Sequence, residues 1–129
     1  MAQIKIYGLK NHIVPIREHL SDIIHNCVVE ALSFPIDKRA HRFFPMERED
    51  WYAPEGRTEA YTIIEITMMS GRSVESRKKL IKLLFANIEN QLGVSTTDIE
   101  ICILESPPVN WGFRGQCGDE IKLNYKIEV

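Results

Sequence analysis

The 129 residues carry 16 Lys and Arg against 18 Asp and Glu, a net charge of −2, with a pI near 6.1. That length suits one domain able to bury a core without staples, and the balanced charge argues against nucleic acid or a membrane surface as partner. No apolar stretch is long enough to span a bilayer, and Cys27, Cys102 and Cys117 are odd in number and widely spaced, which suits free thiols in a cytoplasmic protein. Cys27 and Cys102 fall in apolar patterns and are expected to be buried.

Ile4 to Tyr7 alternates as a strand that Gly8 closes. From about Val14 to Ser33, Ile16, Leu20, Ile23, Cys27 and Ala31 form one helical stripe, with Pro15 suited to the first turn and Pro35 forbidding continuation. His41 to Met46 reads as a second strand. The stretch from about Glu47 to Glu59 is a polar connector with Trp51 and Tyr52 set in it, an aromatic pair of more interest in a polar loop than in a core unless it simply pins the loop to the sheet.

Tyr61 to Met69 is a strand with Thr62, Ile64, Ile66 and Met68 on one face, and Ser73 opens a helix that Gly93 ends. Ile99, Ile101 and Ile103 mark the fourth main strand; a glycine-rich aromatic turn, Trp111 to Gly115, follows, and Ile121 to Val129 is expected as a short terminal strand. The elements describe an α/β fold of two βαβ units, a four-stranded sheet with two helices on one face: repeat one about 1–47, connector about 48–60, repeat two about 61–129. Both strand faces carry apolar groups, among them Ile63, Cys102 and Leu104, so a symmetric neighbour is expected over the second face.

Chemistry concentrates where the third strand turns into the second helix, at Ser70-Gly71-Arg72-Ser73. Glycine permits the turn, serine caps the helix, and arginine stands beside free helical N–H groups, so the corner is either a capped turn with a solvated arginine or a carboxylate or phosphate receptor. His12, His19, His25 and His41 lack metal-ligand spacing, no nucleophile elbow occurs, and Gly112, Gly115 and Gly118 precede no helix. No metal and no cofactor is implied.

The stretch Thr67 to Leu80 resembles the helix opening of the tautomerase superfamily, and Trp111-Gly112-Phe113 is similar to a motif of its malonate semialdehyde decarboxylase branch, whose fused two-repeat length this chain shares. The resemblance implies a homotrimer with pseudo-sixfold symmetry and a pocket at the N-terminal end of the first strand. It implies that Arg72 grips the carboxylate of a small oxo, enol or halogenated acid, with Trp111 and Phe113 as walls. Gly8-Leu9-Lys10 is the first repeat's counterpart of the corner, making Lys10 a second cation or a surface lysine. Asp37 follows the first helix where that branch uses an aspartate, or is a loop residue. The family's usual catalyst is an N-terminal proline; this chain reads Met1-Ala2-Gln3, so a primary amine, on Ala2 or on a retained Met1, is the available base. The implied reaction is proton transfer on an oxo or enol carboxylate, with decarboxylation of a 3-oxo acid or non-catalytic carboxylate binding as alternatives. Tyr7, Asp37 and His41 are the other candidate bases.

Overall fold

The computed structural model describes residues 1–129. Strands β1 (Ala2–Leu9), β2 (His41–Met46), β3 (Thr62–Met69) and β4 (Ile99–Ser106) form one sheet in the order β2-β1-β3-β4. The β1–β2 and β3–β4 pairs are parallel, and β1 runs antiparallel to β3, with Ala2 opposite Met68 and Gly8 opposite Thr62. Each parallel pair is spanned by a crossover helix, α1 (Lys10–Leu32) or α2 (Val74–Leu92), as parallel neighbours require. Because β1 and β3 are antiparallel, the start of one strand lies beside the end of the other. The corner after β3 therefore sits at the start of β1, and the corner after β1 sits at the start of β3.

The core lies between the sheet and the helices. Ile4, Ile6, Ile64, Ile66 and Met68 face Leu20, Ile24, Leu80 and Leu84, all at most 2% exposed. The opposite sheet face is open in the single chain: Phe44, Leu104 and Cys102 are exposed on it, and Tyr7, Ile63 and Thr67 are half-buried. Cys102 is thus not buried, since it alternates with Ile101 and Ile103 and pairs with Glu65 on the face away from the helices; Cys27 is buried as expected.

Three further expectations change. Gly8 does not close β1, which continues to Leu9, and α1 begins at Lys10 rather than Val14. Pro15 consequently sits inside the helix, where it costs one intrahelical hydrogen bond rather than none. A Cβ on Gly8 would stand 3.2 Å from Ile13 Cδ1, so this glycine serves close strand–helix packing. Finally, residues 121–129 form no strand; their alternation reflects a tail lying across the molecule, with no ladder to pair with. The added hairpin consists of β5 (Gly112–Phe113) and β6 (Gln116–Cys117). No helix is long and apolar enough to cross a membrane.

The two halves superimpose in sequence at a constant spacing of sixty residues. Ala2–Leu9 answers to Thr62–Met69, the last helical residue Leu32 to Leu92, and the single-turn helix Arg48–Asp50 to Pro108–Asn110. The left-handed cap Ser33 answers to Gly93, and Trp51 to Trp111. At that spacing the counterpart of Arg72 is His12, not Lys10.

Candidate functional site

The β3–α2 corner is built by backbone geometry first. Gly71 has φ +137°, a left-handed value that favours glycine, and a Cβ there would meet Ile127 Cγ2 at 2.9 Å. Ser73 caps α2, its hydroxyl accepting from the Ser76 amide at 3.1 Å. Between them Arg72 is only 4% exposed. Its Nη1 donates to the Met69 carbonyl at 2.9 Å, while Nε and Nη2 are buried without a partner. No carboxylate pairs with it: Glu105, whose charge acts on the guanidinium, pairs with Arg77 at 3.2 Å. Burial pulls the guanidinium below its ordinary range, against the opposing pull of Tyr125 and Glu105. A buried, half-satisfied guanidinium is costly, and a two-oxygen anion is its natural complement.

The start of β1 meets this corner. The Met1 carbonyl accepts from the Met69 amide at 3.1 Å, and the Met1 amine donates to the Tyr125 hydroxyl at 2.7 Å. Burial first, then the positive charges of Arg72 and Arg114, lower that amine from 8.0 to about 5. Tyr125 stands edge-on to Phe34, ring centres 5.4 Å apart, and burial raises its phenol. The C-terminal tail is anchored across α2, where the Val129 carbonyl accepts from the Ser73 and Ser76 hydroxyls at 2.9 and 2.6 Å.

The aromatic hairpin closes another side. Trp111 Nε1 donates to the Ser106 carbonyl at 3.2 Å, and Ser106 is the β4 neighbour of Met69. Gly118 lets the hairpin fold onto this wall, since a Cβ there would lie 2.5 Å from the Pro108 carbonyl and 2.8 Å from Trp111 Cβ. Arg114, at φ +55°, lies over the Phe113 ring at 5.7 Å.

The structure therefore brings the Met1 amine and Arg72 to one corner, with Trp111 tied to the adjoining β4 residue Ser106; Phe113 lies further out on the hairpin, in a hollow with Gly115, Gln116 and Glu120. The other sequence candidates make no hydrogen bond or ion pair with Arg72 or the Met1 amine, although Asp37 and His41 lie towards the same end of the sheet, where Ala40 and His41 meet Ile4. Ala2 is buried in the sheet among core residues. Lys10 lies at the far end of β1 and pairs with Glu47 at 3.6 Å, because the strand runs its full length between it and Met1. Asp37 is exposed in the turn after Phe34. His41 is structural: its Nδ1 bonds Ser21 Oγ at 2.8 Å, and burial with neighbouring Arg39 lowers it from 6.5 to about 4. Arg114 and Tyr125 are additions that sequence reasoning missed. Arg114 stood inside the aromatic motif already singled out, whereas Tyr125 was hidden in a stretch that reads as a strand.

A fused pair of βαβ units with an unpaired arginine at one strand–helix corner defines the class. The family described as "Tautomerase enzyme" matches residues 38–114, and the chain belongs to that family. It is 31% identical over 99 residues to the probable tautomerase YrdN of Bacillus subtilis, covering 73% of this chain and 76% of that protein. Among solved structures it resembles malonate semialdehyde decarboxylase (TM-score 0.79, 21% identity, 88% of this chain and 92% of that one). A fused 4-OT described as an asymmetric trimer also shares the fold (TM-score 0.80, 19% identity, 91% and 96%).

Proposed function

We propose that this protein catalyses proton transfer on a small oxo or enol carboxylate held by Arg72. The observation that carries the reading is the Arg72 guanidinium, buried with no anionic partner and with Nε and Nη2 free. A substrate carboxylate satisfies both nitrogens as a bidentate pair, and Arg114 adds a second positive charge at the same corner. The Met1 amine, lowered to about 5, is neutral above that pH and accepts a proton from the substrate's enol oxygen or α-carbon. The proton returns to the neighbouring atom of the conjugated system, so no net proton is gained or lost. The curated relative's name, a probable tautomerase, supports this class of reaction.

Decarboxylation of a 3-oxo acid, the chemistry named for one structural neighbour, would enlist Asp37, which stands exposed after α1 with nothing aiming it at Arg72. Non-catalytic carboxylate binding is the remaining alternative. We also infer a homotrimer, with the open sheet face inward. The exposed Phe44 and Leu104 on that face and the trimeric assembly named for the fused relative support it; light scattering that finds a stable micromolar monomer overturns it.

The deciding experiment is ketonisation of phenylenolpyruvate by protein whose mass shows Met1 retained. Expected are a slow rate that rises with pH through an apparent pKa near 5, because the neutral amine is the base, and loss of that rate in Arg72→Ala. Turnover unaffected by Arg72→Ala removes the proposed receptor. Saturable carboxylate binding without turnover selects the binding-module alternative.

A further inference from the structure

Five buried side-chain nitrogens lack a partner within the chain, and they fall at two corners of the fold. Two belong to Arg72; the others are His12 Nε2, Trp51 Nε1 and Arg57 Nε. A buried polar atom left unpaired is uncommon and marks a place where a partner belongs. The second group surrounds the β1–α1 corner, at the opposite end of the sheet from Met1.

That corner is the sixty-residue counterpart of the Arg72 corner, rebuilt with different chemistry. His12 takes the place of Arg72. Burial holds it below its ordinary titration range, although Asp98 pulls the other way. Trp51 takes the place of Trp111, following the same single-turn helix. The difference between the tryptophans is informative. Trp111 spends its N–H on the Ser106 carbonyl, whereas the Trp51 N–H is unspent. Trp51 packs against Tyr61, ring centres 5.6 Å apart, and Tyr61 is the counterpart of Met1.

A cleft of about 410 Å³ opens here, lined by Leu9, Arg48, Trp51, Arg57, Thr58 and Glu59 among others. Thr58 in its wall is tied down from behind: Asp98, 3% exposed, accepts from the Thr58 amide at 2.7 Å and the Thr58 hydroxyl at 2.5 Å. Its charges are loosely held. Arg57 reaches Glu100 through one nitrogen at 3.4 Å, leaving Nε free. Arg48 pairs with Glu59 at 2.6 Å, both of them well exposed. Exposed pairs of this kind contribute little and exchange readily for an incoming carboxylate.

We propose that this cleft is a second carboxylate-binding site, distinct from the Arg72 corner, which takes a small monocarboxylate with a flat apolar body. The carboxylate engages Arg57 and the Trp51 N–H, and the apolar body lies along Leu9 and the indole. The site needs no base: it binds, and the presence of a receptor at each end of the sheet follows from the duplication of the βαβ unit.

The chain contains two tryptophans, one at each corner, so each indole N–H reports on its own site. The test is titration of ¹⁵N-labelled protein with benzoate, following the two indole resonances, assigned through Trp51→Phe. Expected is a saturable shift of the Trp51 signal that persists in Arg72→Ala and weakens about tenfold in Arg57→Gln. In the converse direction, Arg57→Gln leaves the Trp111 response unchanged, so failure here is separable from failure of the Arg72 reading. A Trp51 signal that does not move, or that moves only when Arg72 is intact, overturns the second site. A folded spectrum of Arg57→Gln establishes that its loss is local.

Discussion

The two strand–helix corners began as one design and now differ in where their polar groups find partners. At the β3–α2 corner the tryptophan is tied to backbone and the arginine is left with two free nitrogens. At the β1–α1 corner a histidine replaces the arginine, the tryptophan N–H is free, and cations arrive from the connector as Arg48 and Arg57. The fold fixes the geometry of both, because antiparallel β1 and β3 place each corner beside the other repeat's first strand residue. What differs is which side chains hold incomplete hydrogen-bond sets, and that difference determines what each corner can bind.

The largest expected effect falls on the β1–α1 corner. Asp98→Ala removes the buried carboxylate that accepts both Thr58 bonds, and because hydrogen bonds to a charged group are the stronger kind it should destabilise the protein by about 2–3 kcal/mol. Urea denaturation measures this, and carboxylate binding at the Arg72 corner of the folded variant should be unchanged. Arg72→Met should do the opposite on both counts. It removes a buried, unpaired charge and should raise stability by about 1 kcal/mol, while carboxylate affinity in a calorimetric titration falls at least about tenfold. A destabilised Arg72→Met would show that the guanidinium has a structural role.

The tryptophans sharpen the contrast at a smaller scale. Trp111→Phe removes one of two donors to the Ser106 carbonyl, which keeps the Ser70 amide at 2.9 Å, and should cost about 0.5–1 kcal/mol, whereas Trp51→Phe deletes a donor that bonds nothing and should cost less. Paired thermal melts decide the order. The last effect is on pH dependence. His41 titrates near 4 in the fold against 6.5 ordinarily, so the unfolded chain binds more protons between those values. The His41 contribution to stability should therefore fall as pH drops below 6.5 and level off below 4, on top of the loss that the Met1 amine, lowered from 8.0 to about 5, begins below pH 8. His41→Gln should flatten that slope, since it no longer gains a charge on unfolding.

Much of the framework was legible in the residues. The alternation of Thr62, Ile64, Ile66 and Met68 identifies a strand with one buried face, and all four are buried. Ser73 and Gly93 mark the ends of α2 and occupy its two cap positions. The start of α1 was not legible, because Pro15 imitates a first-turn proline while Leu9, with no capping side chain, gives no signal. The tail misled for a related reason: alternation at 121–129 meets the pattern of a strand, but a strand needs a neighbour to pair with, and periodicity does not supply one.

Local pattern determined the elements here, since hydrophobic period, glycine turns and caps act over a few residues and are written in the chain. It also singled out Arg72 and the Trp111 motif as chemistry. Only the tertiary structure decided that Lys10 stands a full strand away from Arg72, that Tyr125 and Arg114 reach the Met1 amine, and that His12 and Trp51 answer to Arg72 and Trp111 at the other end. Those relations depend on strand direction and on which buried atoms find a partner. Both arise when distant segments meet in a water-excluding core, where an unpaired polar group costs far more than it does along the open chain.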